Sequence, residues 1–218
     1  MIKKRNLITV AIDSPAAAGA GTQAKLISKH YNLFYLDTGK IYRYIGRLRL
    51  INSKKFNYNF IKKKIDNIKL RYLNDKSLLS NEVAISASEI AKDKKIRRIV
   101  LKFQKKYAYK PPKKYNGSVL DGRDITSVIM KDAMFKFFIT ANTHTRAYRR
   151  YKELKDKNKN ITLKEVLKSI KKRDKSDKNR KVSPLKKTKD SILIINSNLT
   201  IRSCFFKIKK IMDKKLNN

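Results

Sequence analysis

An apolar run, Leu7-Ile8-Thr9-Val10-Ala11-Ile12, leads to a loop of small residues: Ser14, Pro15, Ala16, Ala17, Ala18, Gly19, Ala20, Gly21 and Thr22. Small residues after a strand let backbone N–H groups close around phosphate oxygens, and a helix that follows adds the positive potential of its N-terminus. A hydroxyl just after the loop, here Thr22, is placed to hold Mg²⁺. The usual phosphate loop reads G-x-x-x-x-G-K-[ST], or a variant with an extra glycine before the threonine. Gly19, Gly21 and Thr22 fit it. Ser14 stands for the first glycine and Ala20 for the lysine.

Three more segments carry charge in a pattern that suits phosphate chemistry. Asp121-Gly122-Arg123-Asp124 follows an apolar stretch, so a carboxylate and a guanidinium stand at a strand end. Thr145–Arg150 (TRAYRR) and residues 171–185 (KKRDKSDKNRKVSPL) supply further arginines. Arginine's planar fork matches phosphate oxygens in pairs. Phosphoryl transfer requires positioning and charge neutralisation more than a covalent catalyst.

The elements that must hold these groups can be read from periodicity. Residues 7–12 lack clean alternation, which suits a strand buried on both faces. Helix is expected over 22–31 and 40–51, with a strand at 34–36 between them. Residues 52–81 are polar, with one short strand expected at 68–73. Residues 83–109 read as helix with a break near 92–95, ended by Pro111-Pro112. Strands are expected at 117–120, 133–139 and 192–195, and helices at 145–155, 161–173 and 201–216. Residues 174–189 read as a charged, mobile segment. Strands alternating with helices predict an α/β fold, with a parallel sheet covered on both faces.

The chain of 218 residues carries 56 Lys+Arg against 17 Asp+Glu, a formal charge of +39. Such a charge attracts polyanions without selecting among them. The basic residues are spread along the chain beside abundant Asn and Ile, as expected of compositional bias, so any attraction for nucleic acid is expected to be nonspecific. No helix-turn-helix, zinc-finger or RNP-like signature is present. The single cysteine, Cys204, excludes an intramolecular disulfide and reads as a buried apolar residue beside Phe205 and Phe206. The first residues lack the pattern of a signal peptide, and no run approaches the ~20 apolar residues of a membrane span. A cytoplasmic protein without a membrane partner is expected.

From Ile12 onward the chain resembles the bacterial cytidylate kinases, which are nucleoside-monophosphate kinases of the phosphate-loop class. IDSPAAAGAGT is similar to the family's IDGPAGAGKGT, and LDTGKIYR at Leu36–Arg43 to its LDTGAxYR. DGRD at Asp121–Asp124 is a family signature; TRAYRR is similar to ERAxRR, and residues 171–185 to the lid KxRDxxDxxRxxxPL. The resemblance covers nearly the whole chain. It implies a three-layer α/β/α domain with a five-stranded parallel sheet, a monophosphate-binding insert over 52–112 and a lid over 171–189. It implies transfer of the ATP γ-phosphoryl group to CMP or dCMP with Mg²⁺, by a monomer acting on small-molecule nucleotides.

The same resemblance distributes roles. Ser14 to Thr22 would wrap the ATP phosphates, with Thr22 near Mg²⁺ and Asp121 orienting its water. Arg146 and Arg150 would flank ATP. Thr38, Arg43, Ser88, Arg97, Arg123 and Asp124 would hold the acceptor nucleotide. Asp124, Arg173 and Arg180 would form the catalytic set, the two arginines reaching the transferred group. Ala20, Ser14, Ser176 and Leu79 depart from the family pattern. Loss of the loop lysine is expected to cost ~2–4 kcal/mol of transition-state stabilisation, by analogy with loss of one preorganised donor. Two readings follow: a kinase, or an impaired kinase fold that binds RNA or a protein.

Overall fold

The computed structural model describes residues 7–155 and 160–217. Five parallel strands form one sheet: β1 (Ile8–Asp13), β2 (Phe34–Asp37), β3 (Gly117–Gly122), β4 (Phe135–Thr140) and β5 (Ile192–Ile195). Their order is β2-β3-β1-β4-β5. β1 is central, and Val10, Ala11 and Ile12 are fully buried. Its alternate residues enter two different cores, which explains its lack of alternation. Ala11 joins Leu36, Leu120, Ile41 and Val100 on one face. Val10 and Ile12 join Val119, Phe137, Ile194 and Cys204 on the other.

The first face is covered by α2 (Thr38–Ile51), α3 (Tyr58–Asp66), α4 (Asn81–Ile90) and α5 (Lys94–Tyr109). The second is covered by α1 (Ala20–Tyr31) and α8 (Ile201–Leu216). The α/β class, the parallel sheet and the burial of Cys204 agree with the sequence reading. The break in the long helical stretch has a local cause: the Asp93 carboxylate accepts from the N–H groups of Lys95 and Ile96 and starts α5.

Two elements differ from expectation. Residues 68–73 are not a strand; a short 3₁₀ helix runs over Leu70–Asn74. Ile68 and Leu73, five residues apart, are the ones buried in the core, with Leu70 partly so and Tyr72 exposed, a spacing that suits a turn of helix rather than a strand. The charged segment after residue 173 is not all irregular, because α7 spans Leu163–Asn179. Thr162 and Glu165 start it with a reciprocal capping box. No Gly or Pro interrupts it before Pro184. The helix α6 (Thr143–Lys155) packs on α7 through a small core of Ala147, Val166 and Ile170. No helix among the described residues is long and apolar enough to cross a membrane.

Candidate active site

In open α/β sheets, ligands bind beyond the carboxyl ends of the strands. A cleft of about 880 Å³ opens there, within the range of roughly 300–1,000 Å³ usual for small-molecule sites. Its floor is the phosphate loop and the ends of β2 and β3; α2, α4, α6 and α7 supply the walls.

The loop is held from three sides. Ser14 N–H donates to the Gly122 carbonyl at 3.2 Å. The Asn196 amide donates to Ala18 O at 2.9 Å, and its N–H to Thr140 O at 2.7 Å. Arg146 donates to Ala16 O at 3.0 Å. Gly19 has φ +90°, and a Cβ there would lie 2.8 Å from the Asn196 amide nitrogen, so glycine is required. Gly19 caps α1 without a side-chain bond, which leaves the first N–H groups of that helix facing the loop. Ala17 also adopts a left-handed backbone, φ +58°, where the related loops quoted above carry glycine. A Cβ in that region costs about 1–2 kcal/mol. Ala17→Gly is therefore expected to stabilise the protein, by up to about 1 kcal/mol after the entropy glycine loses on folding. Urea unfolding measures it, and a loss of stability would refute the strain.

The strand ends bring three carboxylates together. Asp13, fully buried, accepts from Ile125 N–H, Thr126 N–H and the Thr126 hydroxyl at 2.6–2.9 Å, which ties the DGRD turn to β1. Burial pushes its pKa up to about 6 against those three donors. Asp37 and Asp121 are register partners on β2 and β3. Burial, with Asp37 next, pushes Asp121 up to about 8. Its Oδ1 is buried without a hydrogen-bond partner, and its Oδ2 lies 3.5 Å from where a Gly21 Cβ would be. The Tyr35 hydroxyl faces the same carboxylate, and burial followed by Asp121 raises its pKa.

The opposite wall is an arginine cluster laced by two aspartates. Arg97 pairs with Asp124 and lies over the Tyr42 ring at 5.4 Å. Arg180 is 4.0 Å from Asp124 and 3.9 Å from Asp177, and one of its guanidinium nitrogens is buried without a hydrogen bond. Arg123 donates to Asp177 at 2.8 Å, and Arg173 is 3.9 Å from the same carboxylate. Arg43 donates to Leu78 O at 2.8 Å; burial, then Arg150, lowers its pKa. The cations hold Asp177 below the usual carboxylate range, although burial alone would raise it.

Most of the candidate residues named from sequence converge on this cleft. Ser14, Pro15, Ala17, Ala18, Gly19, Ala20, Gly21, Thr22, Thr38, Arg43, Ser88, Arg97, Asp121, Arg123, Asp124, Arg173 and Arg180 all line it. The Thr38 hydroxyl is already engaged, donating to Asp121 O at 2.8 Å. Ala16, Arg146 and Arg150 lie off the lining. Arg146 is 4% exposed, beneath the loop, held by Ala141 O, Ala16 O and Asp174. Arg150 pairs with Glu153 and lies close enough to Arg43 and Arg173 to depress both.

The sequence reading missed Arg149, Asp177, Tyr35, Asn196 and Lys40, which line the cleft as well. Arg149 donates to Asn196 O at 2.8 Å and stands by Leu199 and Thr200. Helical spacing held a signal for two of them. Arg149 is one turn from Lys152 and Glu153, which share its wall, and Asp177 is one turn from both Arg173 and Arg180.

The profile of the cytidylate kinase family matches residues 10–214. The chain belongs to the cytidylate kinase family. A cytidylate kinase of Clostridium botulinum is 39% identical over 95% of this chain and 98% of its own length. One of Clostridium tetani is 41% identical over 94% of each. One of Thermosipho melanesiensis is 38% identical over 94% and 97%. Among solved structures, an uncharacterized protein from Eubacterium ventriosum aligns with a TM-score of 0.56 at 20% identity, covering 94% of this chain and 98% of that one. That last likeness concerns the fold alone. The family is one of nucleoside-monophosphate kinases, with ATP as a substrate.

Proposed function

We propose that this protein transfers the γ-phosphoryl group of ATP to CMP or dCMP, giving ADP and CDP or dCDP. The carrying observation is that one cleft joins an anion-binding loop, a buried unpartnered carboxylate oxygen on Asp121 and a wall of arginines. An acceptor phosphate oxygen forms the new bond to the γ-phosphorus. The bond from that phosphorus to the bridging oxygen breaks, and its electron pair stays on ADP.

Each part has its role in that step. The N–H groups of residues 14–22 hold the ATP phosphates, and Arg149 stands at the nucleoside end of ATP. Arg146 acts as a positioning residue, fixing the loop from below. Thr38, Arg43, Ser88, Arg97 and Arg123 hold the acceptor, with Asp124 at its base or ribose. Arg173 and Arg180 meet the transferred group, and Arg150 adds positive charge behind them. Asp177 keeps three of these guanidinium groups aligned. Residues 52–112 form the acceptor-binding insert and 171–189 the lid.

The residues fit a divalent cation that arrives with the nucleotide. No cluster of three His, Cys, Asp or Glu able to hold a metal occurs among the described residues. Mg²⁺ is commonly held by one or two carboxylates plus substrate phosphates. Asp121 offers an unpartnered oxygen, and Thr22 an exposed side chain at the start of α1. Mg²⁺ there would neutralise charge on the phosphate oxygens.

The test is incubation of the purified protein with ATP, Mg²⁺ and CMP, with products separated by chromatography. CDP and ADP in equal amounts are expected, with dCMP accepted and AMP a poor acceptor. Ala20 favours a second reading, a nucleotide-binding protein without turnover. It would take over if neither the natural protein nor Ala20→Lys made CDP while ATP and CMP still bound. On the first reading the protein works as a cytoplasmic monomer, and sedimentation with and without substrates reads its state.

A further inference from the structure

The loop lacks its lysine, and the same cleft holds a lysine where the related LDTGAxYR motif has alanine. The two departures are Ala20 and Lys40, and both residues line the cleft. We propose that Lys40 is the catalytic cation of this site, meeting the transferred phosphoryl group in place of the absent loop lysine. The proposal rests on the phosphoryl-transfer reading above.

Position supports it first. Lys40 is the third residue of α2, and its N–H donates to the Asp37 carboxylate at 3.3 Å. Asp37 is the register partner of Asp121, and Gly21 lies against Asp121. The backbone of Lys40 is thus fixed at the Asp37 end of the floor, while its ammonium reaches Asn74 on the acceptor side of the same cleft. Its four-carbon stem gives the ammonium a wide arc.

Local energetics support it second. A cation in the first turn of a helix opposes the helix dipole, and Lys40 stands there behind the Asp37 cap. The ammonium makes no ion pair among the described residues; its partner is the Asn74 amide oxygen, at a long 3.4 Å on an exposed site. A charge placed against local preference and held this loosely is available to a ligand.

The other lysines of the cleft are less suited. Lys25 lies five residues beyond position 20, on the exposed side of α1. Lys152 lies over the Tyr148 ring at 4.7 Å, beside Arg149 on α6. Lys76 is exposed on the 3₁₀ turn Lys76–Leu79. In the transfer step Lys40 exchanges no proton. It neutralises charge on the γ-phosphoryl oxygens as the bridging bond breaks, a contribution worth roughly 10²–10³ in rate for a well-placed donor.

The experiment is a cycle of Lys40→Ala, Ala20→Lys and the double variant, read by kcat with CMP and by calorimetric binding of ATP and ADP without metal. Lys40→Ala is expected to lower kcat by about 30–100-fold in the natural background. It should lower kcat less than about threefold once Ala20→Lys supplies the loop cation. Ala20→Lys alone should gain only about 3–10-fold, because Lys40 already carries most of the effect. Lys40→Ala should weaken ATP several-fold more than ADP, which lacks the terminal phosphate. Equal losses of kcat in both backgrounds, or equal weakening of ATP and ADP, would overturn the assignment. If no variant turns over, the kinase reading falls, and the ATP/ADP comparison still decides whether Lys40 meets the terminal phosphate.

Discussion

Asp121→Asn is expected to lower kcat for CMP phosphorylation by about 10²–10³-fold while making the nucleotide-free protein more resistant to heat at neutral and alkaline pH. Both effects come from the same buried oxygen. Its carboxylate lies at the end of β3 beneath Gly21, with Oδ1 unpartnered and Asp37 alongside. That arrangement favours a cation brought by ATP and penalises the free anion. The sign of the pH effect follows. The folded pKa of about 8 stands above the ordinary 3.8. Between those values the folded chain holds a proton that the unfolded chain has released, so stability falls as pH rises through this window. Below it both states are protonated, and above it both are ionised. Asparagine cannot ionise, so the variant loses this slope, and its advantage grows from about pH 4 to about pH 8. Asp13, raised to about 6 by burial, adds a similar slope at lower pH that the variant keeps. Thermal melts across pH 5–9 read the stability, and a coupled ADP assay reads the rate. A variant that lost activity but melted with an unchanged pH profile would show that the Asp121 carboxylate is well solvated.

Arg146→Met should be the most destabilising single change in the site, by about 3–5 kcal/mol. For a chain of this size that is a fall in melting temperature of roughly 6–20 °C. The Arg146 and Asp174 side chains are 5% and 14% exposed and 2.6 Å apart. The same guanidinium serves the Ala141 and Ala16 carbonyls and the Thr143 hydroxyl. Methionine keeps the stem and removes the fork. It leaves Asp174, largely shielded from water, without its cation and Ala16 O without its donor. Adding Asp174→Leu should return part of the loss, because removing both ions of a buried pair costs far less than removing one. The carbonyls would remain unserved, so recovery should be incomplete. The KM for ATP should rise in both variants, since the loop loses its support at Ala16. Urea unfolding and ATP titrations test these points; a loss below about 1 kcal/mol would mean that α6 does not anchor the loop.

The site residues divide by whether their position in the chain or their neighbours in space gave them meaning. Ser14–Thr22, Thr38, Arg43, Asp121 and Arg123 stand in short contiguous patterns at the ends of strands. There the strand and the following turn fix the side chain, so sequence order is nearly spatial order. The resemblance set Arg146 beside ATP, whereas it is buried under the loop, off the cleft lining, as an anchor on Ala16 O. Arg149, its neighbour one turn along, proved to line the cleft instead. A helix turns about 100° per residue, and only its packing on α7 decides which face meets the ligand.

The sequence by itself determined the phosphate loop, five of the six strands it predicted in their order along the chain, and the family resemblance. These rest on local size, local periodicity and contiguous signatures. Tertiary structure alone decided three things. It placed Asp37, Asp121 and Gly21 in one group at the strand ends, with an Asp121 oxygen buried among them, through strand pairing between segments far apart in the chain. It made Asp177 the shared anion of three arginines. It also brought Lys40 into the cleft whose loop has Ala20 in the lysine position. Burial and electrostatic coupling depend on distance in space, which a linear pattern does not carry, so these groups acquire their chemistry only when the sheet closes.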